Sequence, residues 1–132
     1  MIEYQGPYWL VNLPQNWQGH HSSDVENLFS QEGVGAVEVS SMMNEITVKD
    51  SDLRIYASEY TDKGVSVDTI NLGDFSGLVL EFELEERYYW KSFVKAGSII
   101  LFISYDCKIS DKHLELDLIK DFLKTLSVNC GM

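Results

Sequence analysis

The residues from Leu78 to Cys107, LVLEFELEERYYWKSFVKAGSIILFISYDC, constrain this chain more than any others. Leu78, Leu80, Phe82 and Leu84 alternate with Val79, Glu81, Glu83 and Glu85, the period-2 pattern of a strand with one dry and one wet face. Tyr88, Trp90, Ser92 and Val94 alternate in the same way with Tyr89, Lys91, Phe93 and Lys95. Ile99 to Tyr105 is apolar on both sides, which suits a strand in the middle of a sheet or one covered on both faces. The stretch predicts a three-stranded antiparallel meander. The rest of the chain is expected to cover one side of it, with the acidic residues of the first strand turned to water.

A register follows from the pattern. A short turn at Glu85-Glu86-Arg87 sets Phe82 opposite Trp90, Leu84 opposite Tyr88 and Glu81 opposite Lys91, each pair contributing roughly 0.2–1 kcal/mol. A turn at Ala96-Gly97 sets Val94 near Ile99, Ser92 near Leu101 and Trp90 near Ile103. Gly97 accepts positive φ and Ala96 resists it, so a type I turn with a following bulge is expected ahead of type I′, a choice that leaves room for a one-residue slip.

Before the meander, Tyr8 to Leu13 reads as a strand that Pro14 ends, because proline cannot donate to a ladder. Pro14 to Gly19 is expected as a turn with Trp17 as a plug at the core edge. His20 to Asp24 reads as a solvated loop, since neighbouring side chains diverge and do not converge as a catalytic triad. Val25 to Ser30 and Ala36 to Met42 are strands joined by a glycine turn. Thr47-Val48-Lys49-Asp50 has the form of a capping box, opening a helix that presents Leu53, Tyr56, Ala57 and Tyr60 on one face and stops at Gly64. Val65 to Leu72 is a further strand, and Gly73 to Gly77 turns the chain into the meander.

After it, Ser110 caps a second helix whose apolar stripe is Leu114, Leu118, Ile119, Phe122, Leu123 and Leu126. The opposite face carries as much acid as base, so this helix covers a core and is not a membrane-surface helix. Val128 to Met132 reads as a frayed tail. The expected fold class is α+β: a single-domain sandwich over residues 1–132, mainly an antiparallel sheet of about six to seven strands with two helices packed on it. Phe82, Trp90, Leu101, Ile103, Leu118 and Phe122 are the expected core.

The opening Tyr-Trp-Leu-Val-Asn-Leu-Pro-x-x-Trp at residues 8–17, the hairpin, the helix near residue 50, the aromatic meander and the closing amphipathic helix together resemble the PsbP-like α/β/α sandwich family. That resemblance implies a binding or assembly protein more often than an enzyme, and carries over no functional residue. In its size, acidity and content of Tyr and Trp the chain is also similar in character to bacterial immunity proteins.

A formal charge of −11, from 21 acidic against 10 basic residues, argues against nucleic acid and anionic membranes as partners. No run approaches the roughly 20 apolar residues of a membrane span, and no basic segment with a following apolar run marks an export leader. A cytoplasmic protein is expected. Cys107 and Cys130 have no metal-ligand spacing and are expected to stay unpaired thiols. Gly33 and Gly35 precede a strand without a Lys-Ser/Thr pair, so they make no phosphate loop. With no catalytic signature, no metal cluster and no cofactor motif, the expectation is a non-enzymatic module that binds another protein, one of basic character. Its contact residues are expected to be Glu81, Glu83, Glu85 and Glu86, with Tyr89 as an aromatic anchor and Trp17 and His20 as a second surface. The alternative is a small-ligand carrier with a pocket between sheet and helix.

Overall fold

A computed structural model describes residues 1–129. Ten strands and two helices run in the order β1 (Ile2–Gly6), β2 (Trp9–Leu13), β3 (Trp17–Ser22), β4 (Val25–Ser30), β5 (Ala36–Met43), α1 (Asp50–Thr61), β6 (Val67–Leu72), β7 (Phe75–Leu84), β8 (Arg87–Ala96), β9 (Ile99–Lys108), α2 (Lys112–Leu123) and β10 (Ser127–Val128). Seven strands form one antiparallel sheet in the order β3-β4-β5-β9-β8-β7-β6, and β1-β2-β10 form a second, smaller sheet. The α+β class and the mainly antiparallel sheet with two helices are therefore as expected. β9 lies at the centre, which explains why it is apolar on both sides.

The large sheet is covered on both faces, not on one. Leu53 and Ala57 of α1 bury Leu78, Leu80, Phe93 and Ile100 on one face. Ile119, Phe122 and Leu123 of α2, with Trp9, Val11 and Leu13 of the small sheet, bury Trp90, Val94, Leu101, Ile103 and Tyr105 on the other. Two dry faces account for the expected core members that moved. Phe82 is only half-buried, under α1, while Trp90 is buried under α2. Leu118 is 43% exposed, because the stripe of α2 that faces the sheet runs through Glu115, Ile119, Phe122 and Leu123.

The β7–β8 register differs from expectation by one residue. Glu81 pairs with Trp90, Phe82 with Tyr89, and Leu84 with Arg87. The loop holds two residues, Glu85 and Glu86, with φ of 52° and 68°, the double positive-φ pattern of a type I′ turn whose twist matches the flanking strands. A one-residue slip exchanges faces, so Trp90 and Phe82 sit on opposite sides of the sheet. At β8–β9 the loop is Gly97-Ser98, with Gly97 at φ 61°. Positive φ at the first of two loop residues is the type II′ pattern, and no bulge follows. The ladder is displaced by two, so Val94 faces Leu101, Ser92 faces Ile103 and Trp90 faces Tyr105.

Other elements begin or end elsewhere than expected. β1 occupies the expected lead-in and pairs along β2. β3 replaces the solvated loop at His20 to Ser22 and pairs along β4. α1 begins at Asp50, two residues later in the chain than a Thr47 cap implies; Asp52 accepts the Lys49 backbone N–H at 2.9 Å. It ends at Thr61, and Gly64 lies beyond its end as expected, with φ 92°. A short 3₁₀ turn at Ile109–Asp111 precedes α2, and Ser110 does not cap it. Cys107 is a buried free thiol, while Cys130 lies outside the described residues.

Candidate partner-binding surface

The expected contact residues lie around the β7–β8 hairpin, which separates them by face. Glu81 and Glu83 point to the α2 side, Phe82 and Tyr89 to the α1 side, and Glu85 and Glu86 stand exposed at the tip. Glu85 and Glu86 are the only adjacent pair of non-glycine residues with positive φ among the described residues. A left-handed backbone costs an L-residue roughly 1–2 kcal/mol, and Asn-Gly would occupy such a turn with less strain.

On the α2 side, Glu81 accepts the Tyr88 hydroxyl at 2.6 Å. Burial first, and the Glu81 hydrogen bond next, hold the Tyr88 hydroxyl far above the ordinary tyrosine range. Glu83 pairs with Lys112 at 3.3 Å, and the same ammonium sits 5.5 Å from the centre of the Tyr88 ring. Glu81, Tyr88, Lys112, His113, Leu116 and Asp117 line a cleft of about 210 Å³ between sheet and helix. On the α1 side, Tyr89 stacks on Phe82 with centroids 4.9 Å apart, and Phe82 continues to Tyr60 at 5.4 Å. Arg87 clasps Asp106 through Nε at 3.0 Å and Nη2 at 2.6 Å, raising the guanidinium further. The strands thus place an aromatic ledge on one side of the tip and a carboxylate pair on the other.

Trp17 and His20 lie on β3, at the far edge of the large sheet from β7. Trp17 is 5% exposed and meets Phe122 edge-on at 5.1 Å, so its ring plugs the core. His20 is exposed on the edge strand. Neither is brought together with the glutamates.

Two buried carboxylates escaped the sequence reading. Glu26 on β4 accepts the Tyr4 hydroxyl and contacts His21 Nδ1, tying the small sheet to the large one. Burial, followed by that hydrogen bond, pushes the Tyr4 hydroxyl up to about 12. Glu115 on α2 accepts the N–H groups of Val34 and Gly35 at 3.2 and 2.9 Å and the Tyr105 hydroxyl at 2.9 Å. Burial is also the main reason that Tyr105 and Cys107 titrate above their ordinary ranges. The only hint of Glu115 was a carboxylate at the boundary of an apolar stripe, which period alone assigns to the wet face.

A second depression, between α1 and the sheet beside Tyr60, Lys91 and Phe102, is also about 210 Å³. Both are smaller than the roughly 300–1,000 Å³ of pockets that enclose drug-sized ligands, whereas a groove beside Gly64 to Ser66 and Leu80 to Phe82, of about 580 Å³, falls within that range. Among the described residues no three His, Cys, Asp or Glu side chains converge as a metal site, and no helix is long and apolar enough to cross a membrane.

The antiparallel sheet between α1 on one face and α2 with the small sheet on the other matches solved structures of PsbP-like fold. The solution structure of cyanobacterial PsbP (CyanoP) from Synechocystis sp. PCC 6803 superposes with a TM-score of 0.64 at 12% identity, over 97% of this chain and 92% of that one. LpqN, involved in cell envelope biogenesis of Mycobacterium tuberculosis, gives 0.65 at 12% identity over 92% and 83%. A crystal structure from Bacteroides thetaiotaomicron VPI-5482 gives 0.70 at 14% identity over 98% of this chain, which spans only 48% of that one. Identity at this level speaks for the fold alone. No protein family model matches the sequence, and no curated protein does.

Proposed function

We propose that this chain is a non-catalytic protein-binding module of the immunity, adaptor or secretion-chaperone kind, which meets a basic partner with the acidic end of the β7–β8 hairpin. The observation that carries the reading is the tip itself. Glu85 and Glu86 are exposed and both carry positive φ; the Glu86 carbonyl accepts the Ile109 N–H at 3.2 Å, but among the described residues neither carboxylate enters a hydrogen bond or ion pair. Strain held at a solvent-facing tip whose side chains have no packing role is the kind of outlier that points to function. Glu81 and Glu83 extend the charge along β7, and the net charge of −11 adds a long-range field of the same sign. Tyr89, half-buried on Phe82, offers an aromatic anchor at the edge of the contact.

Such a surface acts chiefly on association rate, and exposed charges are screened beyond roughly 8 Å at physiological ionic strength. The test replaces Glu83, Glu85 and Glu86 with Lys and follows binding to a protein retained by the wild-type chain, at two salt concentrations. Association should slow most at low salt, with dissociation less affected. An association rate unchanged at both salts removes the acidic tip from the contact.

A further inference from the structure

β7 is longer than its outer neighbour. β6 begins at Val67, opposite Leu80, so Glu81 to Leu84 pair with β8 on one side and with no strand on the other. The two-residue loops at both ends of β7 fix which amides face which way, because loop-flanking residues form the hydrogen-bonded pair and the pattern then alternates. Leu84 and Phe82 bond toward β8, opposite Arg87 and Tyr89. Phe75, Gly77 and Val79 bond toward β6, opposite Leu72, Ile70 and Asp68. By the same alternation, Glu81 and Glu83 turn their N–H and C=O groups to the open edge. The chain entering β6 leaves this line free: the Val65 N–H bonds back to the Tyr60 carbonyl, and a groove of about 580 Å³ runs from between Gly64 to Ser66 and Leu80 to Phe82 onto the α2 side of the sheet, where it reaches Val79, Trp90 and Lys120.

The geometry points to strand addition at this step: an extended segment of a partner protein, alternating basic and apolar residues, completes the sheet beside Glu81 to Leu84. An open edge with unpaired amides is a template for a further strand. Side chains opposite each other across a ladder share a face, so the alternation of β7 dictates that of its guest. Residues opposite Glu81 and Glu83 meet carboxylates, and basic side chains complement them. Residues opposite Phe82 and Leu84 meet an apolar surface that Tyr60 and Val65 extend, and Leu84 is 56% exposed there. Lys120 lines the groove and Lys112 pairs with Glu83, but Asp68, Glu81, Glu83, Glu85 and Glu86 outnumber them around the edge.

This inference rests on the protein-binding reading above and adds the conformation and pattern of the bound segment. The probe is the capped peptide acetyl-Lys-Val-Lys-Val-Lys-amide, titrated into the full chain labelled with ¹⁵N. Amide shifts should concentrate at residues 64–66 and 81–84, and hydrogen exchange at the Glu81 and Glu83 amides should slow. N-methylation of alternate peptide nitrogens keeps the charge but blocks the ladder, and should weaken binding at least tenfold. A Glu-Val peptide of the same length should not bind. Equal binding by the N-methylated peptide, or shifts confined to Glu85 and Glu86, would overturn strand addition while leaving an acidic contact in place. No shift with the Lys-Val peptide at millimolar concentration overturns strand addition too, and charge reversal at the tip then decides the broader reading separately.

Discussion

Glu81 stands directly across the β7–β8 ladder from Trp90, a carboxylate beside a fully buried indole. The pair marks the line where the α2-side core reaches water. Trp90 points inward beneath α2, while the exposed Glu81 is held at the border by the Tyr88 hydroxyl. The acidic row is thereby anchored to the buried α2-side core of the sheet. A partner contacting Glu81 and Glu83 meets a surface already ordered, which limits the entropy lost on binding.

Trp90 is the largest commitment on this face. Truncating it to Ala should destabilise the protein by about 3–5 kcal/mol, a large share of the roughly 5–15 kcal/mol of an ordinary domain. Urea unfolding followed by circular dichroism measures it. A variant that melts with the wild type would contradict both the register and the placement of α2.

Glu115 should matter as a structural acceptor. Glu115→Ala strands the Val34 and Gly35 amides and the Tyr105 hydroxyl, and should lower stability by roughly 1–3 kcal/mol through the buried Tyr105 hydroxyl alone, with the part-buried amides adding to the loss. Glu115→Gln keeps an acceptor oxygen and should lose less. Equal losses from the two substitutions in urea unfolding would show that the network does not hold the 31–35 loop.

Alkaline pH should unfold the chain through its tyrosines. The Tyr4 hydroxyl lies at about 12 in the folded protein, against about 10 in an unfolded chain. Below pH 10 both states keep the proton, so the contribution is fully present. Between pH 10 and 12 the unfolded chain releases it first, so stability falls as pH rises. Tyr88 and Tyr105 are raised as well and extend the fall to higher pH. Tyr4→Phe should flatten the decline in melting temperature between pH 10 and 12; an unchanged slope would contradict the raised value.

The sequence reading captured the class of fold because alternation, turn residues and the stripe of α2 are local signals. Its largest errors trace to the Glu85-Glu86 turn, to strands with few apolar residues and to the small sheet. Type I′ is the preserve of Asn and Gly, so Glu85-Glu86 gave no sign of a two-residue turn, and the assumed longer turn displaced the ladder by one. β1 and β3 carry too few apolar residues to read as strands, because their pairing is set by neighbours distant in sequence. The small sheet beside α2 made a second dry face, and no pattern within the meander announces what covers it. The acidic residues were legible as a group, but their division between the α2 side and the tip depends on the register. The open edge of β7 depends on where β6 begins, which only the paired strands reveal.

The most direct test of the acidic tip as a binding surface is Glu85→Asn with Glu86→Gly. Asn-Gly suits a type I′ turn, so relief of backbone strain should stabilise the fold by about 1–2 kcal/mol and raise the melting temperature. The same change removes both tip carboxylates. The measurement is melting temperature together with quantitative capture of proteins from the native host by variant and wild-type chains. The account predicts a higher melting temperature and at least a tenfold loss of the basic proteins that the wild-type chain retains. A stabilised variant that captures the same proteins in the same amounts would contradict it.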